Sequence, residues 1–223
     1  MKNKTIVIIP ARGNSKRLPG KNTRLLGGIP LLAHSIKYAQ QFSFIKNIYV
    51  TTDNLEIKNI ALQFGAQVID RPAEISGDFE PTVSALKHVI ASLPTDVENV
   101  ILLQPTNPLR PLSLLAEAFQ IYLNSDSDSL FTVSRNQNKL GKIVQEKFQP
   151  FNYKIGQRSQ DLEPLFYENG LLYITKASLI RNDIIISNQA FPLEVNHIFA
   201  KVDIDTQEDF DYAEYLFKKE TFY

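Results

Sequence analysis

Thr5–Ile9 reads TIVII, and the stretch directly after it, Pro10–Asn22, reads PARGNSKRLPGKN. The first is short, β-branched and apolar without alternation, which predicts a strand covered on both faces. The second holds Arg12, Lys16, Arg17 and Lys21 with no acid among them. Gly13 and Gly20 let its backbone turn and present N–H groups to an anion. Arginine forks onto phosphate oxygens and lysine supplies a compact charge, so the loop suits a triphosphate. The Gly-Lys-Ser/Thr of a P-loop is missing, and so is the GxGxxG dinucleotide fingerprint. A solvated basic loop is the plain alternative. Its place after a buried first strand and its Pro-Gly-Lys ending favour a cradle that includes Asn14 and Ser15.

Outward from that stretch, strand-like runs alternate with helical periods. Asn47–Thr52 and Asn99–Leu103 read as strands, as do Val68–Ile69, Ser129–Val133 and Gly170–Ile174. Leu32, Ile36 and Ala39 recur at helical spacing. So do Ile57, Ile60, Ala61 and Phe64, with Asp53 or Asn54 as the cap. Val83–Leu93, Leu115–Tyr122 and Phe210–Phe217 complete the helices, and a last strand is expected near Phe199–Ile204. The alternation predicts an α/β fold, a three-layer α/β/α arrangement around a mostly parallel sheet. Ligands of such sheets sit beyond the carboxyl ends of the strands. Residues 136–170 break the rhythm and read as a small subdomain or partner surface, or else as a long loop. The expected organisation is one domain over 1–223 with that excursion.

With 24 basic and 24 acidic residues the chain has no net charge, so neither a nucleic-acid nor a membrane partner is expected, and any polyanion site must come from local clustering. The absence of cysteine excludes disulfides, thiolate metal sites and thiol catalysis. No stretch reads as a signal peptide or a membrane span, and a cytoplasmic protein is expected. His34, His88 and His197 are scattered without metal-ligand spacing.

Near the other end, Asp203 and Asp205 flank Ile204. On a strand, alternate residues share a face, so both carboxylates face one cation while Ile204 faces the core. Mg²⁺ (or Mn²⁺) takes one or two carboxylates together with substrate phosphates. Thr206 and Asp209 also read as a capping pair for the last helix, which is compatible with metal binding.

IPARGNSKRLPGKN resembles the N-terminal signature of the acylneuraminate cytidylyltransferases, the CMP-sialic acid synthetases, with their legionaminate and pseudaminate relatives. DRPAEISGD (Asp70–Asp78), LLQPTNPLR (Leu102–Arg110), RSQDLEPLFYENGLLYI (Arg158–Ile174) and VDIDT (Val202–Thr206) resemble the family's later motifs in the same order. Kdo cytidylyltransferases usually have proline after the loop lysine, where this chain has Asn22. Asn14 stands where the family often carries a second glycine.

The resemblance implies a Rossmann-like nucleotidyltransferase that joins CTP to a nonulosonic acid, releases pyrophosphate and works as a homodimer. It implies contacts from Asn22, Arg71 and Thr82 to the nucleotide. Without it, Arg71 reads as a surface ion pair with Asp70 or Glu74, and Thr82 as a helix cap. It also implies that Lys142 and Arg158 serve the sugar carboxylate, that the excursion makes the dimer contact, and that Asn169 belongs to the sugar segment. Gln104, after a buried strand, is placed to meet sugar hydroxyls or to bond its own turn. Tyr173 is a candidate wall for the sugar's N-acyl groups, with core packing as the alternative. The expected reaction is direct attack of the anomeric hydroxyl on the α-phosphorus. Arg12 and Lys21 serve the triphosphate, and Asp203 and Asp205 the metal. A Kdo-type enzyme and a non-catalytic nucleotide-binding protein of the same fold are the rivals.

Overall fold

The computed structural model describes residues 4–94 and 96–221. The extreme ends of the expected 1–223 domain lie outside them. Seven strands form the main sheet: β1 (Thr5–Pro10), β2 (Ile48–Thr52), β3 (Gln67–Asp70), β4 (Asn99–Leu102), β5 (Ser129–Asn136), β6 (Leu165–Lys176) and β7 (Phe191–Glu194). Their spatial order is β7-β5-β6-β4-β1-β2-β3. β6 runs antiparallel to both neighbours, and every other pairing is parallel. The sheet is therefore mixed and mostly parallel.

Among the described residues six α-helices follow in chain order: α1 (Leu31–Gln40), α2 (Leu55–Gln63), α3 (Thr82–Ser92), α4 (Leu114–Asn124), α5 (Ala177–Arg181) and α6 (Gln207–Thr221). Val7 and Ile9 of β1 enter a core shared with α1, α2 and α4. Ile6 and Ile8 enter a second core on the other face, with α3 and α5. Two apolar faces on one strand explain why TIVII does not alternate.

A third core places the functional ends of the chain. Leu18, inside the basic loop, packs with Leu26, Leu109, Val202, Ile204 and Phe210 of α6. Leu18 is 2% exposed and Ile204 is fully buried. One apolar cluster thus pins the basic loop to the segment that carries the paired aspartates.

The expected strand at Phe199–Ile204 does not form. A 3-10 turn spans Ile198–Lys201, and 202–204 is an extended run without a strand partner. Its polar backbone is satisfied by a loop instead: Ile204 N–H donates to Thr106 O at 2.8 Å, and Asn107 Nδ2 donates to Val202 O at 2.7 Å. Alternation survives in this extended run, because Val202 and Ile204 are buried while Asp203 and Asp205 face outward.

Between β5 and β6 the chain makes a separate hairpin, Gly141–Val144 with Lys147–Pro150. Gln145 and Glu146 take positive φ at its tip (49° and 63°), the backbone of a tight two-residue turn.

Candidate active site

A cleft of about 550 Å³ opens beyond the carboxyl ends of β1 and β4. The basic loop lines it through Arg12, Asn14, Ser15, Lys16, Arg17 and Lys21, and Asp205 lies across from them. Lys21 is 9% exposed. Its Nζ donates to Ile204 O at 2.7 Å and to Asp205 Oδ1 at 2.9 Å. Arg17 Nη2 takes the other oxygen, Asp205 Oδ2, at 2.6 Å. Residues more than 180 positions apart therefore meet at one carboxylate.

Asp203 keeps an exposed edge but is hemmed in by protein. Burial first, then Asp205 and Asp209, push its carboxyl above the usual range, while Thr106 and Lys21 pull the other way. Asp209 itself is held below its ordinary range. Burial opposes that shift, but bonds from Asp205 N–H (3.0 Å), Thr206 N–H (2.8 Å) and the Thr206 hydroxyl (2.9 Å) outweigh it. Thr206 Oγ1 accepts from Asp209 N–H at 3.3 Å, so the capping pair is reciprocal. The cap and the outward carboxylates coexist.

Opposite this end stands Asp78. Its carboxylate meets Lys16 Nζ at 2.5 Å and Arg12 Nη1 at 2.9 Å, and the Lys16 contact chiefly holds it below the usual carboxylate range. Arg12 Nη1 also donates to Gly77 O at 2.9 Å. The same turn presents Phe79, 98% exposed, at the rim of the cleft. Asp78 lay inside a quoted motif, but sequence alone gave it no role, because nothing in the one-dimensional pattern says which cations it meets.

Gly13 does not offer its N–H to the cleft. That hydrogen goes to Asp53 Oδ1 at 2.8 Å. The glycine is needed for closeness, since a Cβ there would stand 2.8 Å from Asn54 Cβ. Asn54, not Asp53, caps α2. Asn22 is 7% exposed and donates to Arg12 O at 3.0 Å. Arg71 forms no pair with Asp70, whose partner is Lys58 at 2.7 Å. Instead Arg71 Nη2 donates to Thr51 O at 2.8 Å and the side chain lines the cleft. Thr82 is the first residue of α3 and makes no capping bond, because Pro81 holds the cap position. It lines the cleft too.

Gln104 lies between this cleft and a second cavity bounded also by Tyr173. Its backbone oxygen is held by Arg110 Nη2 at 2.8 Å. Arg110 was not singled out by sequence reasoning. It is 4% exposed, donates also to Leu171 O at 2.7 Å and Ser35 Oγ at 3.1 Å, and burial lowers its pKa to about 10. It braces the Gln104 loop from beneath.

Asn169 does not reach the cleft. Its amide is consumed internally, accepting from Thr132 Oγ1 at 2.6 Å and donating to Ser134 Oγ at 3.0 Å. Lys142 sits exposed on the hairpin. Arg158 is exposed and forks onto Asp161 at 2.8 and 3.1 Å. Neither lines the cleft within one chain.

A family model described as cytidylyltransferase matches residues 6–223. The chain is 36% identical to CMP-N,N'-diacetyllegionaminic acid synthase of Legionella pneumophila, over 95% of both chains. It is 30% identical to pseudaminic acid cytidylyltransferase of Campylobacter jejuni, over 96% of this chain and 97% of that one. Against N-acylneuraminate cytidylyltransferase of Streptococcus agalactiae it is 32% identical over 93% of its length, spanning 52% of that longer protein. In fold it resembles CMP:2-keto-3-deoxy-manno-octonic acid synthetase complexed with CTP, with TM-score 0.72, 17% identity and coverage of 97% and 99% of the two chains. Among the described residues no helix is long and apolar enough to cross a membrane.

Proposed function

Because this chain belongs to the cytidylyltransferase family, we propose that it transfers CMP from CTP to the anomeric hydroxyl of a sialic-acid-like nonulosonic acid, releasing pyrophosphate. The observation that carries this reading is the junction of Lys21 and Arg17 with Asp205. It brings a polyphosphate cradle and Asp205, one of the two paired aspartates, to one cleft of a size that suits a nucleotide.

In this reading Arg12, Lys16 and Lys21 neutralise the triphosphate and the departing pyrophosphate. Asn14 and Ser15 line the same channel. Asn22, Arg71 and Thr82 orient the nucleoside, and Gln104 meets the sugar. The sugar hydroxyl attacks the α-phosphorus in line, the bond to the β-phosphate oxygen breaks, and the hydroxyl proton leaves to solvent. Such transfer works mainly by positioning and charge stabilisation, so no strong protein base is required.

The acidic pair fits a magnesium ion. Aspartate supplies hard oxygen donors, and the Asp203 carboxyl, pushed above its usual range by burial and then by Asp205 and Asp209, would gain a counter-charge from a cation. Among the described residues no three acidic or histidine groups converge on one point, so substrate oxygens and water complete the shell. When bound, the ion supplies charge neutralisation at the phosphates.

Lys142 and Arg158, remote from their own cleft, serve the sugar carboxylate of a partner's site in a homodimer. Exposed Ile143, Phe148 and Phe151 on and beside the hairpin (80%, 53% and 67% exposed) support that interface. A reducing, cytoplasmic setting accords with the absence of cysteine.

The deciding experiment measures pyrophosphate release from CTP with a panel of nonulosonic acids, with ATP, GTP and UTP as controls. Turnover is expected with CTP and at least one nine-carbon acid. No release with any acid of the panel would sink the proposal.

A further inference from the structure

A separate cavity of about 410 Å³ opens beyond the carboxyl ends of β5 and β7. These strands run parallel to each other, and β6 lies antiparallel to both β5 and β4. The cavity therefore lies on the same edge of the sheet as the active cleft, where ligands of α/β sheets collect. The two are nonetheless distinct, because no residue lines both.

The frame of this cavity is fixed. Val195 N–H donates to Val133 O at 2.8 Å, and the buried Ser134 hydroxyl donates to Val195 O at 3.2 Å. Asn136 locks the turn beside them: its Nδ2 donates to Asn138 O at 3.3 Å, and its Oδ1 accepts from Asn138 N–H at 3.1 Å. His197 Nδ1 accepts from Phe199 N–H at 3.2 Å, so the neutral ring carries its hydrogen on Nε2. On this frame stand Arg135 and Lys201. Each cation of the basic loop is paired with an aspartate. Arg135 and Lys201, among the described residues, pair with no acid, although Glu194 lines the same cavity. The side-chain amides of Gln137, Asn138 and Asn196 likewise have no protein partner among the described residues.

Two cations without protein partners suit one acid group, carboxylate or phosphate. Amides donate and accept, and Glu194 accepts, so the rest of the wall suits hydroxyls. The Tyr167 ring adds an apolar face for the body of a sugar ring. A neutral sugar would use only the amides, and an inorganic anion only the cations. The volume takes one monosaccharide. We infer that this cavity is an accessory binding site for an acidic monosaccharide, a hydroxylated ring bearing one carboxylate or phosphate, and that Arg135 and Lys201 hold its acid group. The turn that carries Lys201 runs on into Asp203, so a ligand here abuts the acidic segment from outside the active cleft.

Calorimetric titration of the full chain tests this with four probes: glucuronate, glucose 6-phosphate, glucose and inorganic phosphate. One of the two sugar acids should bind at least about tenfold tighter than glucose and than inorganic phosphate, the scale of a charge-assisted hydrogen bond. Whether that acid is glucuronate or glucose 6-phosphate identifies the acid group. Arg135→Gln combined with Lys201→Gln should weaken its binding by about tenfold or more, while Arg12→Gln in the active cleft leaves it unchanged. Both wall cations are exposed, and thermal melting reports whether the double variant folds. Asn196→Asp, which adds an acid to the wall, should also weaken binding and keeps the test valid if the double variant does not fold. Binding of neither acid, glucose or inorganic phosphate binding as tightly as the tighter acid, or an affinity lost with Arg12 rather than with the wall residues overturns the inference. None of these outcomes bears on pyrophosphate release from CTP, so the two readings fail separately.

Discussion

Lys21 shows how much one side chain depends on its surroundings. The sequence placed it at the end of a basic loop, and the structure shows why its position matters. A buried ammonium held by a carbonyl and a carboxylate cannot drift, so in the proposed reaction it would meet the triphosphate already oriented. Lys21→Met keeps the aliphatic stem and removes the charge, and kcat should fall by about 10²–10³ at saturating substrate. Asp203→Asn and Asp205→Asn should each cost about as much and raise the magnesium concentration needed for half-maximal rate. Circular dichroism should remain that of the wild type, since the apolar cluster of Leu18, Val202 and Ile204 is untouched. A rate within threefold of wild type in all three variants would remove the junction from the mechanism. At this scale the paired aspartates were legible because their spacing is local. Asp78 was not, because its partners lie about 60 residues earlier, at Arg12 and Lys16.

Elements position these side chains through a few buried polar ties. Asn107 is fully buried, and its amide links Asn169 O (3.2 Å) of β6 to Val202 O (2.7 Å) beside the acidic pair. Gly170, with φ 76°, packs so closely that a Cβ would stand 2.9 Å from Asn107 Oδ1. Asn107→Ala leaves two buried carbonyls unmatched and should cost about 1–3 kcal/mol in denaturant melts. Gly170→Ala adds backbone strain to the close contact and should cost at least about 1 kcal/mol. Both should also lower kcat, because the aspartate segment loses its tether. Unchanged midpoints in both would show that the tie carries no weight. Asn169 was expected in the sugar segment; within this chain Asn169 and Gly170 sit at the irregularity of β6 and brace Asn107, which only the pairing of β6 with β5 reveals. For the same reason Phe199–Ile204 looked like a strand: its apolar alternation is real, but its backbone partners are a loop and an amide.

The whole molecule was the most legible level. Buried, non-alternating runs implied a sheet covered on both faces, and the periodicity implied its helices. The hairpin escaped because Gly141–Val144 and Lys147–Pro150 pair only with each other, so neither strand carries the imprint of a core. With its apolar side chains in water, the hairpin is the proposed dimer contact. Ile143→Asp with Phe148→Asp should convert a dimer to a monomer in analytical ultracentrifugation and lower turnover as Lys142 and Arg158 leave the partner's cleft. A wild-type monomer at micromolar concentration would refute that assembly. One more property follows from Asp78 on Arg12 and Lys16, and from Asp205 on Arg17 and Lys21. The protein carries its own counter-ions. In the proposed function an arriving nucleotide would trade places with tethered carboxylates rather than strip dissolved anions from bare cations, so its capture should respond less to ionic strength than the number of lysines and arginines suggests.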